Sequence, residues 1–524
     1  MEVMENSFVG SRLLSVWRVI CLFWAQGGLS RLARAVSEGF SQLWRESTLA
    51  ALLERNGALN RAWRHSVFCA VLNTLVNLPA ALLHWIYLKL KPVLDGSVAA
   101  QLVFGMAEQT PAAIGWLFLG MVLIPYKQWN NLYSLIGFFL ILLLTVAGGI
   151  RRRSLRLDVT SVGPYAALYA LAVILAVPLS AFPSLSFRFL FFHITCMLCV
   201  ITTVSTIEHQ DQLMRLVTFA VLGLLAISVA GIIQRIIGVD VNPSYVDLTV
   251  NEGMPGRVYA MFENPNAFAE VLAMLIPLAV ALMLASKGWS GRFLGLVSCL
   301  LGLAAILMTY GRASWVGLAV AAVLFVFLWN RKLLPVMILL GLGVIPILPD
   351  TIFNRILTIF NTKDTSTTSR FPLYSAALRL LAARPLIGAG LGTDAVRQAV
   401  KDLNFYHGVA PFVHAHDVYL QVWAESGLLG LFSFLGAMGW NIKNAAKAAA
   451  SDSCPKQVRL IAIGGASAMF GLLVCGIADY MWNYPRVMVI FWFVVGVTLS
   501  AIRLAKKSIH SASELSQPSE GGTL

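Results

Sequence analysis

Leu132-Tyr-Ser-Leu-Ile-Gly-Phe-Phe-Leu-Ile-Leu-Leu-Leu-Thr-Val-Ala-Gly-Gly-Ile150 runs for nineteen residues without a charge and then meets Arg151-Arg152-Arg153. About twenty apolar residues are what an α-helix needs to cross a hydrocarbon core of roughly 30 Å. A cluster of arginines directly behind such a run marks its cytoplasmic end, because basic loops are retained on that side. Composition extends this reading to the whole chain. Of its 524 residues 58% are hydrophobic and only 12% charged, about half the charged share of a soluble globule, and mean hydropathy is +0.76. The net charge of +14 does not indicate nucleic acid, since Lys and Arg fall mainly between apolar runs, where they orient helices against anionic lipid.

Apolar runs of suitable length predict an all-α, polytopic membrane bundle of about twelve spans after residue 112. They cover approximately 113 to 126, 132 to 150, 164 to 182, 188 to 206, 213 to 235, 267 to 286, 293 to 310, 313 to 329, 333 to 348, 419 to 439, 458 to 478 and 486 to 504. Basic residues alternate from loop to loop: Arg151 to Arg156, Lys287 with Arg292, Arg331 with Lys332, Lys443 to Lys456, and Lys506 with Lys507. The remaining loops, including a long one over 349 to 418, face outward on this reading, with both termini cytoplasmic. The expected organisation is a basic, amphipathic, surface-lying region over 1 to 112, nine spans over 113 to 348, an extracytoplasmic catalytic loop over 349 to 418, three spans over 419 to 505 and a disordered tail over 506 to 524. Within the first region, residues 66 to 90 are apolar enough to span, but a thirteenth crossing would move the first loop outside; an interfacial or re-entrant segment is preferred. No signal-peptide cleavage pattern is evident.

Seven cysteines avoid the long outward loops, which argues against a disulfide framework. Cys196-x-x-Cys199 lies in an apolar run with His193 and reads as core packing rather than a redox or metal site. Chemistry concentrates outside. Phe412-Val-His414-Ala-His416-Asp417-Val-Tyr419 puts two imidazoles and a carboxylate just before an apolar helix, where histidine suits proton transfer near neutral pH. His416 is the candidate base; the alternative is a histidine that caps the next helix. His414 is a neighbour or substrate contact. Arg312, in the tight turn Tyr310-Gly311-Arg312, and Arg370, leading a helix with Tyr374, place guanidiniums at the membrane surface, where planar forks grip pyrophosphate oxygens; Arg370 pairing with Asp364 is the bland alternative. Arg257, in Gly256-Arg257-Val258, is a further candidate. Asn264-Pro265-Asn266 marks a turn and helix entry. Glu425 opens a membrane helix and would pair with an arginine or orient a histidine. The run Gly388-Ala-Gly390-Leu-Gly392 lacks a P-loop lysine and follows a helix, so a chain reversal is favoured over a phosphate cradle. Asp479 and Tyr480, at the end of a span, read as interfacial.

Gly311-Arg312-Ala313-Ser314, Ser369-Arg370, Pro385-Leu386-Ile387-Gly388-x-Gly390, His416-Asp417-x-Tyr419-Leu420 and Ala424-Glu425-Ser426-Gly427-Leu428-Leu429-Gly430, in this order, resemble the O-antigen ligase and polymerase superfamily over about residues 113 to 505. The resemblance implies an inverting, metal-independent glycosyltransferase of the GT-C type in the cytoplasmic membrane, with no cofactor. Its expected donor is an undecaprenyl-pyrophosphate-linked glycan and its acceptor a hydroxyl on a glycan, lipid or protein. By position His416, Arg312 and Arg370 are the expected catalytic residues, with Arg257, His414, Tyr374 and Glu425 binding substrate. Asp417 stands where Asn is common in the family, and the basic N-terminal extension is not part of the shared core. A polymerase of the same superfamily is the nearest alternative. A transporter or flippase of lipid-linked glycans is more remote, since polar groups cluster outside rather than at midplane and no internal repeat is visible.

Overall fold

The structure, a computed structural model, describes residues 58–151, 157–242, 253–358, 368–408 and 411–515, together with Tyr245 and positions 35, 38 and 42. The amphipathic pattern before residue 58, the arginines at 152, 153 and 156, and Asp364 lie outside the described residues; of the tail expected to be disordered over 506 to 524, residues 506–515 are instead the helical end of the last α-helix, and those beyond 515 lie outside the described residues. All regular structure among the described residues is helical. In chain order the α-helices are α1 Ala58–His65, α2 Val67–Gly96, α3 Val98–Glu108, α4 Thr110–Leu123, α5 Asn131–Arg151, α6 Val159–Val162, α7 Pro164–Ala176, α8 Pro183–Thr206, α9 Gln210–Ile237 and α10 Pro265–Ala285. They continue as α11 Trp289–Met308, α12 Arg312–Asn330, α13 Leu334–Val344, α14 Asp350–Leu357, α15 Arg370–Ala383, α16 Gly392–Asp402, α17 Val418–Ala450, α18 Lys456–Cys475 and α19 Pro485–Leu515.

Ten helical stretches among the described residues are long and apolar enough to cross a membrane, and eleven if the bent pair α3 and α4 counts as one. The difference from the expected twelve has three local causes. Of the run 113 to 126, all but the last three residues fall in α4, which joins α3 at a 69° bend. The stretch 164 to 182 yields only the thirteen-residue α7, followed by a turn through Ser180. The two runs at 313 to 329 and 333 to 348 join through a 3-10 turn into one apolar stretch, Arg312–Ile347. Conversely, the segment expected to be interfacial, 66 to 90, is the thirty-residue α2, capped by Ser66, whose hydroxyl accepts from the Cys69 amide. Its length and apolarity suffice for a crossing.

The chain divides into two compact units. One comprises Val326–Leu348 with residues 1–56; its described part is the end of α12 and α13 with positions 35, 38 and 42, and Ile338, Leu339, Leu340 and Leu342 are exposed. The other, Gly57–Phe325 with Pro349–Leu524, holds the core, and α10, α18 and α19 are its most deeply buried spans. Asn264 and Pro265 start α10 as the Asn-Pro pair predicts: the Asn264 side chain accepts from the amides of Asn266 and Ala267, and proline needs no donor at the first position. Where α12 meets α18, a Cβ on either Gly317 or Gly471 would stand 2.5 Å from the other's carbonyl oxygen. Only glycines permit that approach, the usual device for helices that cannot rely on a hydrophobic effect between them in lipid.

The loops expected on the outer side meet at one end of this unit. Arg486, 1% exposed, donates to the carbonyls of Ile124 (2.8 Å) and Met261 (2.5 Å) and lies 3.7 Å from Glu263. Asn264 donates to the Tyr484 hydroxyl, and the Val418 amide donates to the Gly476 carbonyl at 2.8 Å. The Gly388 to Gly392 run lies there too, and it reverses the chain by backbone contact. Helix α17 breaks at Gly427 (φ 69°, ψ −172°), Ala389 donates to Ala424 (2.7 Å) and Leu428 to Pro385 (3.1 Å). A Cβ on Gly427 would sit 2.0 Å from the Leu386 carbonyl oxygen.

Candidate active site

The His-Ala-His stretch is held by three elements. Asp417 caps α17, its carboxylate accepting from the Leu420 amide at 2.7 Å. The cap is therefore Asp417, and His416 is released from that role. His416 adopts the left-handed region (φ 49°), a conformation that costs a non-glycine residue energy and must be enforced by its surroundings. Its amide donates to His414 Nδ1 at 3.1 Å, the Tyr374 hydroxyl of α15 donates to its carbonyl at 3.4 Å, and between the two histidines the Ala415 amide donates to Gln421 Oε1 at 2.9 Å. Gln421 is in turn fixed by Glu425 (2.9 Å), which also accepts from the Tyr480 hydroxyl (2.8 Å) and contacts the Gly392 backbone. The start of α16 is thus occupied by a protein carboxylate, which accords with a structural rather than a phosphate-cradling role for the glycine run.

His416 Nδ1 lies 3.4 Å from Asp479 Oδ1, with the His416 side chain 35% exposed. Asp479 also accepts from the Tyr480 amide (2.8 Å) and from Asn266 Nδ2 (3.0 Å). Burial by itself would raise its carboxyl, but the hydrogen bond and charge of His416, followed by Arg370 and His414, hold it well below the usual carboxylate range. Asp479 is therefore a fixed anion. His414 is the opposite case. Burial first, and then the charge of His416, lower it to about 3, so it is neutral at working pH. Because its Nδ1 accepts the His416 amide, its proton resides on Nε2.

The arginines form a second group, joined to the first by Asn266, which donates to Asp479 and whose Oδ1 accepts from Arg257 Nη2 at 2.5 Å. Arg257 is buried and also donates to the carbonyls of Thr309 (2.6 Å) and Tyr245 (3.1 Å). Burial, then the positive charges of Arg355 and Arg312, lower it to about 9. Arg312 heads α12 and donates to Thr358 (2.7 Å to the carbonyl). Arg370 heads α15 and, among the described residues, makes no hydrogen bond or ion pair, while its charge bears on Asp479, His414 and Tyr374.

Of the residues singled out in the sequence, His414, His416, Arg370, Tyr374, Arg257, Arg312 and Glu425 all belong to this end of the molecule. Tyr374, His414 and Glu425 make their contacts with the protein itself, and the three hydrogen bonds of Arg257 likewise go to protein acceptors. The sequence reading does not single out Asp479 as the partner of His416, nor Asn266 as a link, nor Arg355, which is buried and donates to the Tyr310 carbonyl. A signal existed for Asp479 and Arg355: a charge placed at a span's end is expensive unless it is paired or functional. Cys196 and Cys199 are buried free thiols in α8, as core packing predicts.

Residues 297–435, which include Arg312, Arg370, the glycine run, His416 and Glu425, match the family model described as O-Antigen ligase. An uncharacterized protein of Haemophilus influenzae is 25% identical over 281 residues, covering 48% of this chain and 69% of the relative. The all-helical architecture with its many apolar spans is that of a multi-pass membrane protein, and over residues 297–435 the chain is similar to the O-antigen ligase family.

Proposed function

We propose that the chain transfers a glycan from an undecaprenyl-pyrophosphate donor to an acceptor hydroxyl on the outer face of the cytoplasmic membrane, with inversion at the anomeric carbon and without a metal. The observation behind this reading is the His416–Asp479 pair at 3.4 Å, beside Arg370 and linked through Asn266 to the guanidiniums of Arg257, Arg312 and Arg355. Asp479 engages Nδ1, which leaves Nε2 to accept the acceptor's hydroxyl proton. The acceptor oxygen bonds to the anomeric carbon as the bond from that carbon to the pyrophosphate oxygen breaks. Asp479 stabilises the imidazolium so formed, and Arg370 with Arg312 neutralises the charge on the departing pyrophosphate. Arg257, pinned by three acceptors, sets the positive field of the pocket, while His414, Tyr374 and Glu425 hold the backbone on which His416 sits.

The test is transfer by purified protein supplied with lipid-linked glycan and candidate acceptors, with and without a chelator. Product of inverted anomeric configuration, formed at an unchanged rate in chelator, is expected. Retained configuration, or abolition by the chelator, would overturn the mechanism. A polymerase uses the same donor chemistry and would be recognised by acceptors that are themselves lipid-linked repeats.

A further inference from the structure

At the other end of the same unit lies a basic, aromatic-walled cleft that the transfer chemistry does not use. Arg486 and Lys506 are both on α19, and twenty residues of α-helix span about 30 Å, the thickness of a hydrocarbon core. The cleft is bounded by Trp63 and Arg64 of α1, Trp440 of α17, and Arg503 and Lys506 of α19. Lys506 Nζ stands over the Trp440 ring at 4.9 Å. Arg503 is anchored by Asp158 (Nε to Oδ2, 2.9 Å) and by the Val204 carbonyl (2.8 Å), and Trp63 Nε1 donates to the Thr160 carbonyl at 3.2 Å. Arg64 and Lys447 are near enough to repel the Lys506 ammonium, with Asp158 the carboxylate that opposes them.

A groove begins at the same Arg64 and follows α2 past Val67, Val71 and Leu75. These three are spaced on one helical face and are exposed by 79%, 47% and 58%. The groove encloses about 420 Å³ and the cleft only about 20 Å³, so a headgroup would rest at the mouth of the cleft, between its cations, rather than inside it. A cationic cleft with tryptophans at membrane-interface depth, continuous through one arginine with an apolar groove, matches a molecule that has an anionic head and an alkyl tail.

We propose that this cleft and groove bind an anionic phospholipid of the leaflet opposite the candidate active site, its phosphate between Arg64 and Lys506 and one acyl chain along Val67, Val71 and Leu75. The cations supply the charge complementarity, and the depth and the adjoining groove select a lipid over a free phosphate. The inference does not depend on the proposed transfer reaction.

The test uses the full chain purified in detergent, with native mass spectrometry and thermal unfolding in the presence of phosphatidylglycerol, phosphatidylcholine or inorganic phosphate. Phosphatidylglycerol is expected to stay bound and to raise the melting temperature at concentrations at least tenfold below phosphatidylcholine. R64Q/K506Q should abolish that preference, and K506R should keep it. Should the double variant not fold, R64Q alone, a change at an exposed side chain, should weaken the preference several-fold. Equal retention of the two lipids, an equal effect from inorganic phosphate, or wild-type preference in R64Q or R64Q/K506Q would each overturn the proposal.

Discussion

Replacing Asp479 with Asn removes one charge and little volume, and it isolates the part of the mechanism that the geometry defines most sharply. The carboxylate is 3.4 Å from His416 Nδ1. An imidazolium and a carboxylate at that distance attract by about 5 kcal/mol at an effective dielectric of about 20. The His416 side chain is 35% exposed, and solvent screening reduces the usable part to roughly 2–3 kcal/mol. Since that charge pair exists only once His416 has taken a proton, the loss falls on the transition state, and kcat should drop about 30- to 150-fold. The Asn amide would also donate to Nδ1 and drive the His416 proton onto Nε2, the atom that must accept, which deepens the loss. Donor KM should change less than about threefold, because Asp479 is not placed on the donor. The assay is steady-state transfer in detergent or vesicles, alongside a melting curve to verify folding. A folded D479N enzyme with kcat within threefold of wild type would refute the pairing, and a loss confined to KM would move Asp479 to substrate binding.

Arg370→Lys should raise donor KM at least tenfold while keeping the charge, because an ammonium cannot grip two phosphate oxygens in a planar fork; equal donor titrations would exclude bidentate recognition there. Gly427→Ala should lower stability by at least about 2 kcal/mol, from a left-handed backbone and from the Leu386 carbonyl 2.0 Å from the new Cβ, read as a clear fall in melting temperature. His414 has a folded value of about 3, below the ~6.5 of an unfolded imidazole. Between those values the unfolded chain binds a proton that the folded chain refuses, so stability falls as pH drops from ~6.5 toward 3, by at most about 4–5 kcal/mol. His414→Gln should flatten that dependence between pH 7 and 5, and an unchanged slope would contradict the burial argument.

The helical, many-span fold was legible because apolar length is a local property: 132 to 150 and 213 to 235 announce themselves without reference to anything else. Exact spans were less so. The bend between α3 and α4 and the early end of α7 are settled by packing rather than by hydropathy, and α2 hung on a preference for even loop alternation. His416, Arg312 and Arg370 were visible as charges in short polar stretches beside apolar ones. Their partners were not, because Asp479 reaches His416, and Asn266 reaches both Asp479 and Arg257, only once α10, α17 and α18 have packed. The glycine run was legible as a reversal, but the broken α17 that it wedges against, at Gly427, was not.

The central claim is that His416 removes the acceptor proton. The direct measurement is single-turnover transfer by purified His416→Ala, with donor binding determined in parallel. The account predicts donor affinity within about threefold of wild type and a rate of transfer reduced by about 10²- to 10⁴-fold, the usual share of general base catalysis. Transfer at the wild-type rate by a folded His416→Ala protein would contradict it.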